Sequence, residues 1–307
     1  MTLQQLEYVI ALDKYRHFVT AAEKLAVTQP TITLQLKKLE DEIGIQIFDR
    51  STSPLKPTTS GEIIISKAKQ ILNEVHQLKD ILNSEKDSIE GTFKIGIIPT
   101  ISPYIVPKFI GSFIQQYPQT HLDIYEMQSD TIIQSLKKDD IDIGILVSPL
   151  DETFIKEIPL YNEPFLYYGR VEELSEMVAI ESKDIEKREG LWLLNSGHCF
   201  RNQVLNICEI DQSHKKNIAF QSGSIETLKK MVDNYGGFTL IPELAKEPKD
   251  HAQTIPFVEP QPIREVCLAV HKGFPKEGLL EILKKEILRI VPKEFKKNQR
   301  IIKMRWR

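Results

Sequence analysis

Residues 20–40 read TAAEKLAVTQPTITLQLKKLE and hold two helical patterns with a turn between them. Thr20–Ala26 is rich in small residues, and Thr31–Glu40 carries apolar residues at helical spacing, so each predicts a short helix. Thr28 is suited to cap the second helix and Pro30 to stand in its first turn, so the chain turns sharply here. The stretch therefore predicts a helix-turn-helix.

The flanking residues extend this motif to a winged domain. A first helix is predicted by four apolar residues on one face, Leu3, Leu6, Val9 and Ile10. After the motif, apolar and polar residues alternate briefly at 45–48, and the polar tip Arg50–Lys56 follows, which predicts a small wing. Residues 1–58 are thus expected to form a winged helix-turn-helix DNA-binding domain.

The second helix of such a motif lies in the major groove, with its first residues near base edges. The residues expected to contact bases or phosphates are Gln29, Pro30, Thr31, Thr33, Lys37 and Arg50. Bulk charge gives no support, because the first sixty residues carry seven Lys/Arg against seven Asp/Glu. An ordinary three-helix bundle is the alternative.

A long helix is predicted from Thr59 onward. Its apolar residues recur at alternating steps of four and three, at Ile64, Ala68, Ile71, Val75, Leu78 and Leu82. This spacing is typical of a heptad seam and indicates a partner helix, although packing on its own domain is the alternative. The polar stretch Asn83–Glu90 is interpreted as a hinge, so 59–90 is expected to be a linker and dimerisation segment.

Residues 91–307 alternate strand and helix patterns, which predicts an α/β domain with two lobes. The first run has strands at Phe93–Pro99, Leu122–Met127 and Ile143–Val147, and helices at Tyr104–Gln116 and Thr131–Lys138. The second run has strands at Leu191–Leu194, Ile218–Gln221 and Phe238–Ile241, and helices at His198–Cys208 and Ser224–Asn234. A strand at Arg264–His271 and a helix at Leu279–Val291 return to lobe I, expected at about 91–161 and 269–292. Lobe II spans about 162–268, and the cleft between lobes suits a ligand.

Composition excludes several classes of protein. The chain has 307 residues, 41% hydrophobic and 27% charged, with net charge −3. It has no apolar run near the length of a membrane span, and its N-terminus lacks the pattern of an export signal, so the cytoplasm is expected and no membrane contact. Three cysteines are too few for a secreted disulfide framework. In a reducing compartment, a cysteine pair is more often catalytic, metal-binding or redox-sensing.

Two of the cysteines lie in Gly197–Cys208, GHCFRNQVLNIC. A helix over this stretch would hold the Cα atoms of Cys199 and Cys208 about 13 Å apart. A disulfide requires about 7 Å or less, so oxidation would have to unwind the helix. That coupling describes a two-state switch.

Cys199 stands in the first turn of this predicted helix, where the helix dipole, His198 and Arg201 would favour a thiolate. Peroxide converts a thiolate to a sulfenic acid, which condenses with a second thiol, here Cys208. The alternative is that both cysteines are small core residues, as expected for Cys267. A metal site is not expected, because one histidine and two cysteines are too few ligands, and no cofactor is expected. The tail Lys293–Arg307 is expected to be solvated.

The N-terminal residues resemble those of the LysR-type transcriptional regulators. The matching residues are Ala21, Ala22, Leu25, Val27, Gln29, Pro30, Leu36, Lys38, Leu39, Glu40, Phe48, Arg50, Thr58 and Gly61. The resemblance implies a winged helix-turn-helix and linker helix joined to a two-lobed, periplasmic-binding-protein-like regulatory domain. It also implies a homo-oligomer, usually a tetramer, that binds promoter DNA and contacts RNA polymerase. Leu34 departs from the small or polar residue common at its position.

A second set of residues resembles the OxyR subfamily, which senses hydrogen peroxide. It comprises Gly197, His198, Cys199, Arg201, Gln203 and Cys208, with the stretches Ile97–Pro103 and Ser224–Val232. The resemblance implies that Cys199 reacts with peroxide and Cys208 resolves it, and that a thiol reductant resets the pair. It implies a peroxide pocket of Thr100, Ser129, Gly197, His198 and Arg201, in which Ser129 replaces the usual threonine.

We therefore predict a peroxide-sensing transcriptional regulator of oxidative-stress genes, not an enzyme. Two alternatives remain at this stage. A regulator of the same family could bind a small organic metabolite between its lobes. A thiol peroxidase would use the same cysteine chemistry, but the DNA-binding segment argues against it.

Overall fold

A computed structural model describes residues 1–83, 89–175, 177–185, 188–208, 222–296 and 301–304. The chain separates into two compact units, Met1–Asp87 and Ser88–Arg307. Among the residues described, no helix is long and apolar enough to span a bilayer.

The first unit is the predicted winged helix-turn-helix. Its helices are α1 (Leu3–Tyr15), α2 (Phe18–Lys24) and α3 (Gln29–Ile43). The wing consists of β1 (Phe48–Asp49) and β2 (Lys56–Pro57), which pair antiparallel. The three helices and the wing close on one apolar core, whose fully buried members are Val9, Leu12, Ala21, Ile32, Leu39 and Ile47.

The long helix α4 (Thr59–Asn83) starts against the wing. A Cβ on Gly61 would lie 1.9 Å from the carbonyl oxygen of Ile47, so only glycine allows this approach. The Gly61 amide donates a 2.9 Å hydrogen bond to Thr58 Oγ1, and the Thr58 hydroxyl donates to Gln46 O at 2.7 Å. Thr58 and Gly61 thus join the wing to α4.

The apolar face of α4 is only partly used within its own unit. Ala68 and Leu72 are buried against Leu6 of α1. Ile71 is 39% exposed and Leu78 is 58% exposed. The predicted seam is therefore divided between packing on α1 and a face that stays partly exposed at Ile71 and Leu78.

The second unit contains the α/β elements. The strands are β3 (Gly91–Ile97), β4 (Thr120–Glu126), β5 (Ile143–Ser148), β6 (Ile155–Tyr168), β7 (Thr239–Pro242), β8 (Thr254–Pro256), β9 (Gln261–His271) and β10 (Ile301–Lys303). The helices are α5 (Ser102–Gln116), α6 (Ser129–Lys137), α7 (Val171–Leu174), α8 (Ser182–Ile185), α9 (Cys199–Cys208), α10 (Ile225–Tyr235) and α11 (Glu277–Ile290). Short 3₁₀ turns occur at Glu243–Ala245, Pro248–Gln253 and Lys293–Lys296.

The strands form one sheet in the order β4-β3-β5-β9-β6-β7, with β8 paired to β6 and β10 paired to β9. β3 runs parallel to β4 and β5, and β9 pairs antiparallel with β5 and β6. Two apolar cores flank it. Ile155–Tyr161 of β6 contributes to the first core and Phe165–Tyr168 to the second, so β6 crosses between the lobes.

The strand β6 is not predicted from the sequence. Its 14 residues follow no strict alternation because the strand passes from one core to the other. Leu191–Leu194 does not form the predicted strand and makes only an isolated bridge from Leu191 to Phe238. The strand predicted at Ile218–Gln221 lies outside the described residues, as does most of the predicted hinge.

The tail is not wholly solvated, because Ile301–Lys303 forms β10 and pairs in parallel with Gln261–Ile263 of β9. The prediction missed it because three residues of strand give too short a pattern.

Candidate functional site

The two cysteines of Gly197–Cys208 stand at opposite ends of one helix. α9 runs from Cys199 to Cys208, as predicted, and both thiols are free and buried. At about 1.5 Å per residue, the Cα atoms are separated by about 13 Å, too far for a disulfide. Cys199 packs in the first apolar core and Cys208 in the second. A bond between them therefore requires α9 to change.

Elements from both lobes meet around Cys199. Ser129, the first residue of α6, hydrogen-bonds the Cys199 thiol. Thr100 follows β3, and its side chain is 1% exposed. Gly197 precedes α9 with a φ of +97°, and a Cβ there would lie 2.6 Å from the Gln128 amide oxygen. Glycine thus permits the close approach of this turn to the start of α6.

A buried arginine joins these elements, and it is absent from the sequence prediction. Arg264 of β9 is opposite Glu163 of β6 in the strand register, and its Nη2 lies 2.8 Å from a Glu163 carboxylate oxygen. Its Nη1 donates to Thr100 Oγ1 and its Nη2 to Thr100 O, both at 2.9 Å. The guanidinium also lies over the ring of Phe200, 5.5 Å from the centroid. Arg264 therefore places a fixed positive charge beside the first turn of α9.

Electrostatics distinguish Cys199 from the other two thiols. Burial raises the pKa of Cys199, while the Ser129 hydrogen bond and the Arg264 charge act in the opposite direction. Burial raises the pKa of Cys208 to about 12, with no described group opposing it. Burial and the carboxylates of Glu157 and Glu265 raise the pKa of Cys267. Of the three thiols, Cys199 is thus the one whose described neighbours stabilise its thiolate.

The first turn of α9 acts as predicted, because the backbone amides of Cys199 and Phe200 lower the pKa of the thiol. The predicted charge of His198 and the predicted net lowering of the pKa are wrong. Burial lowers the pKa of His198, so the imidazole is neutral near pH 7 and adds no charge. The Arg201 guanidinium donates to Leu194 O at 2.8 Å. The net pKa of Cys199 is raised, because the cost of burying a thiolate exceeds the help from its neighbours.

Of the predicted pocket residues, Ser129 bonds the Cys199 thiol and Gly197 packs against Gln128 at the start of α6, while Thr100 is linked to this region through Arg264. The His198 imidazole packs near Gly223, where a Cβ would lie 3.2 Å from Nε2. Arg201 is half-buried and directed to the Leu194 carbonyl. Arg264 could have been suspected from its charge within the apolar run of β9, but its partners come from distant parts of the chain.

Ser129→Ala is predicted to slow the reaction of Cys199. Removing the hydroxyl removes a contact that lowers the pKa of Cys199, so less thiolate is present at any pH below that pKa. A neutral hydrogen bond contributes about 1 kcal/mol, equivalent to about fivefold in rate. The pH profile of alkylation by a neutral reagent should move to higher pH. Ser129→Thr should restore it, and an unmoved profile in Ser129→Ala would contradict the assignment.

The predicted DNA-contact residues lie on α3 and the wing. Gln29, Pro30 and Lys37 are exposed, and Thr31 and Thr33 are half-buried. Local hydrogen bonds occupy both threonines, Thr31 with the Thr28 hydroxyl at 2.8 Å and Thr33 with Gln29 O at 3.0 Å.

Arg50 and Leu34 lie near this face in different environments. Arg50 forms a 2.6 Å ion pair with the buried Glu40 and keeps 41% of its side chain exposed. Leu34 is 53% exposed, so it belongs to the outer face of α3 rather than to the core.

Comparison with known protein families decides the classification. Residues 3–62 match the bacterial regulatory helix-turn-helix of the lysR family, and residues 86–286 match the LysR substrate binding domain. The chain belongs to the LysR family of transcriptional regulators. This agrees with the resemblance noted in the N-terminal residues, and the fold agrees with the predicted two-lobed class.

Several of the similar proteins are hydrogen peroxide-inducible genes activators or OxyR proteins. The chain is 34% identical to the hydrogen peroxide-inducible genes activator of Haemophilus influenzae, covering 92% of this chain and 94% of that protein. It is 32% identical to the DNA-binding transcriptional dual regulator OxyR of Escherichia coli, covering 94% and 95%. A full-length cysteine-to-aspartate variant of OxyR from Pseudomonas aeruginosa has a TM-score of 0.78 at 32% identity, with 94% of each chain covered.

Another similar solved structure has hydrogen peroxide bound. It is a hydrogen-peroxide-bound cysteine variant of OxyR from Corynebacterium glutamicum, with a TM-score of 0.61 and 26% identity. The match covers 94% of this chain and 92% of that one.

Proposed function

We propose that this LysR-family regulator senses hydrogen peroxide through Cys199 and Cys208 and controls the transcription of oxidative-stress genes. One observation carries the proposal. Of three buried thiols, Cys199 alone has described neighbours that favour its thiolate, and a single helix holds it apart from Cys208. The names of the similar proteins support the same signal.

The chemistry consumes one peroxide per switch. The sulfur of Cys199 attacks one peroxide oxygen, the O–O bond breaks, and the thiol proton leaves with the departing oxygen as water. The product is a sulfenic acid at Cys199. The Cys208 sulfur then attacks the sulfenic sulfur, releasing a second water and forming the disulfide. Ser129 and Arg264 act on the attacking sulfur, and with Thr100, which is bonded to Arg264, they would hold the peroxide and stabilise the developing negative charge.

Disulfide formation would couple this chemistry to the fold. The cysteines pack in different cores, so closing a gap of about 13 Å withdraws at least one from its surroundings and unwinds α9. α9 also contributes Phe200, Val204 and Ile207 to the second core. Unwinding α9 would repack the side chains of lobe II, and the changed surface of this lobe would alter contacts between subunits.

The subunit contacts are expected at α4. Its exposed residues Ile63, Ile71 and Leu78 would pack against a second copy, giving the homodimeric unit of a tetramer. Repacked subunits would change the spacing of the DNA-binding domains on promoter DNA and their contact with RNA polymerase. A thiol reductant in the cytoplasm would reset the disulfide. The chain acts stoichiometrically and is not an enzyme in this scheme.

Lys37→Gln is predicted to weaken DNA binding about equally on every sequence. Lys37 is exposed on α3, so its charge would neutralise a phosphate. Fluorescence anisotropy at several salt concentrations should show a salt slope reduced by about one. Lys230→Gln, which changes an exposed lysine of α10, is the matched control and should leave the slope unchanged. An unchanged slope in Lys37→Gln would remove this residue from the interface.

The proposal is tested by intact-mass and peptide mapping of the reduced protein before and after about one equivalent of peroxide. A mass loss of about 2 Da with a cross-link between the peptides of Cys199 and Cys208 is expected. If neither cysteine reacts, the site is structural, and the cleft should instead be searched for an organic ligand. Footprinting of reduced and oxidised forms on the same DNA then measures the switch.

A further inference from the structure

The C-terminal strand β10 is attached to the strand that carries Arg264. β10 pairs with Gln261–Ile263 of β9, and the Met304 amide extends the ladder with a 2.9 Å bond to Ile263 O. The Lys303 ammonium pairs with the Glu265 carboxylate, whose other oxygen accepts a 2.7 Å hydrogen bond from Ser148. β10 is therefore held both by backbone bonds and by an ion pair.

Met304, the residue that follows β10, is bound to the middle of α9. Gln203 stands one turn after Cys199, on the same face of the helix, and its side chain is fully buried. Its Nε2 donates a 2.9 Å hydrogen bond to Met304 O. Its Oε1 has no hydrogen-bond partner among the described residues. The bond to Met304 is thus the described hydrogen bond of the buried Gln203 side-chain amide.

We propose that Gln203 is a positioning residue that clamps α9 to the chain at β10. The clamp lowers the rate of the second step, disulfide formation. The inference rests on the proposed function. Unwinding α9 moves Gln203 away from Met304 and leaves its amide to find another partner, so the clamp favours the helical, reduced form. The clamp takes no part in the reaction of peroxide with Cys199, since no described contact joins Gln203 to that thiol.

Gln203→Leu keeps the size of the side chain and removes the donor. The first step is measured by trapping the sulfenic acid in a Cys208→Ser background, and the second by the rate of cross-link formation in the full chain. We expect an unchanged first step and a second step faster by up to about tenfold. The reduction potential of the pair should become more negative by up to about 30 mV, because the reduced form is destabilised relative to the disulfide.

A second variant tests the clamp without changing a buried residue, so that its effect cannot come from a loss of folding in the core. Lys303→Glu changes a half-exposed residue, opposes Glu265 and should loosen β10 from outside the core. It should speed the second step in the same direction, and its effect should largely vanish in the Gln203→Leu background, because both act through one clamp. Lys285→Glu on α11 is the control for the charge change and should alter neither step.

Two results would overturn the inference. One is an unchanged second step in both variants. The other is a slowed first step in Gln203→Leu, which would assign the amide to peroxide chemistry instead. Failure of the proposed function is distinguishable from both, because the wild-type chain would then form no cross-link at all.

Discussion

Cys199→Ser is expected to abolish the response to peroxide while leaving the fold and DNA binding of the reduced form in place. A serine hydroxyl cannot be oxidised to a sulfenic acid, so no disulfide can follow. The exchange replaces one small buried group by another next to the Ser129 hydroxyl, so we expect a destabilisation of about 1 kcal/mol. Mass spectrometry and footprinting with and without peroxide measure the two outcomes.

The other cysteines supply controls for this result. Cys208→Ser should stop the reaction at the sulfenic acid, which a sulfenic-acid-specific reagent would trap. Cys267→Ala, in the buried interior of β9, should keep the full response. A Cys199→Ser protein that still forms a peroxide-dependent cross-link or changes its footprint would refute the role of Cys199.

Arg264→Met should lower both the stability and the peroxide reactivity of the protein. The substitution leaves the Glu163 carboxylate buried without its partner, which costs about 3–5 kcal/mol. It also removes the positive charge that counteracts burial at Cys199, so the pKa of Cys199 rises and the thiolate fraction falls. Urea unfolding measures the first effect, and the pH profile of sulfenic-acid formation measures the second.

A double variant separates the two roles of Arg264. Replacing Glu163 as well, in Arg264→Met with Glu163→Leu, removes the unpaired carboxylate and should recover much of the stability. Reactivity should remain low, because the charge near Cys199 is still absent. Reactivity that returns with stability would mean that Arg264 serves the fold alone.

The reduced site combines a protonated thiol with groups ready to stabilise its anion. Burial keeps Cys199 largely as the thiol at neutral pH, which protects it from other oxidants that require an exposed thiolate. Ser129 and Arg264 act against burial and favour the charged form. Because reaction requires the thiolate, the rate should rise with pH up to the raised pKa of Cys199.

Local patterns in the sequence predicted the elements whose residues are neighbours in the chain. Thr28 stands at the N-cap of α3 and Pro30 in its first turn, as predicted, although the Thr28 side chain makes no capping hydrogen bond. The helix α9 follows from helical spacing between two cysteines. These elements need no knowledge of distant residues, because each is encoded by periodicity, caps and turn residues. The same holds for most strands and helices of the second unit.

Residues far apart in the chain decided the rest. Glu163 and Arg264 are 101 residues apart and become partners only through the register of β6 and β9. Gln203 and Met304 are likewise 101 residues apart in the sequence and form a hydrogen bond in the fold. Neither pairing leaves a periodic signal, since it depends on which strands are neighbours in the sheet.

The sequence by itself determined the winged helix-turn-helix, the alternation of strand and helix, and the placing of two cysteines at the ends of one helix. Only the tertiary structure decided the charge state of Cys199. Its pKa depends on how much water the fold removes and which buried charge the fold brings near, and both are properties of packing between distant segments. The sequence prediction assigned the positive charge near Cys199 to its neighbours His198 and Arg201. In the structure the charge that lowers the pKa of Cys199 belongs to Arg264, a residue distant in the chain.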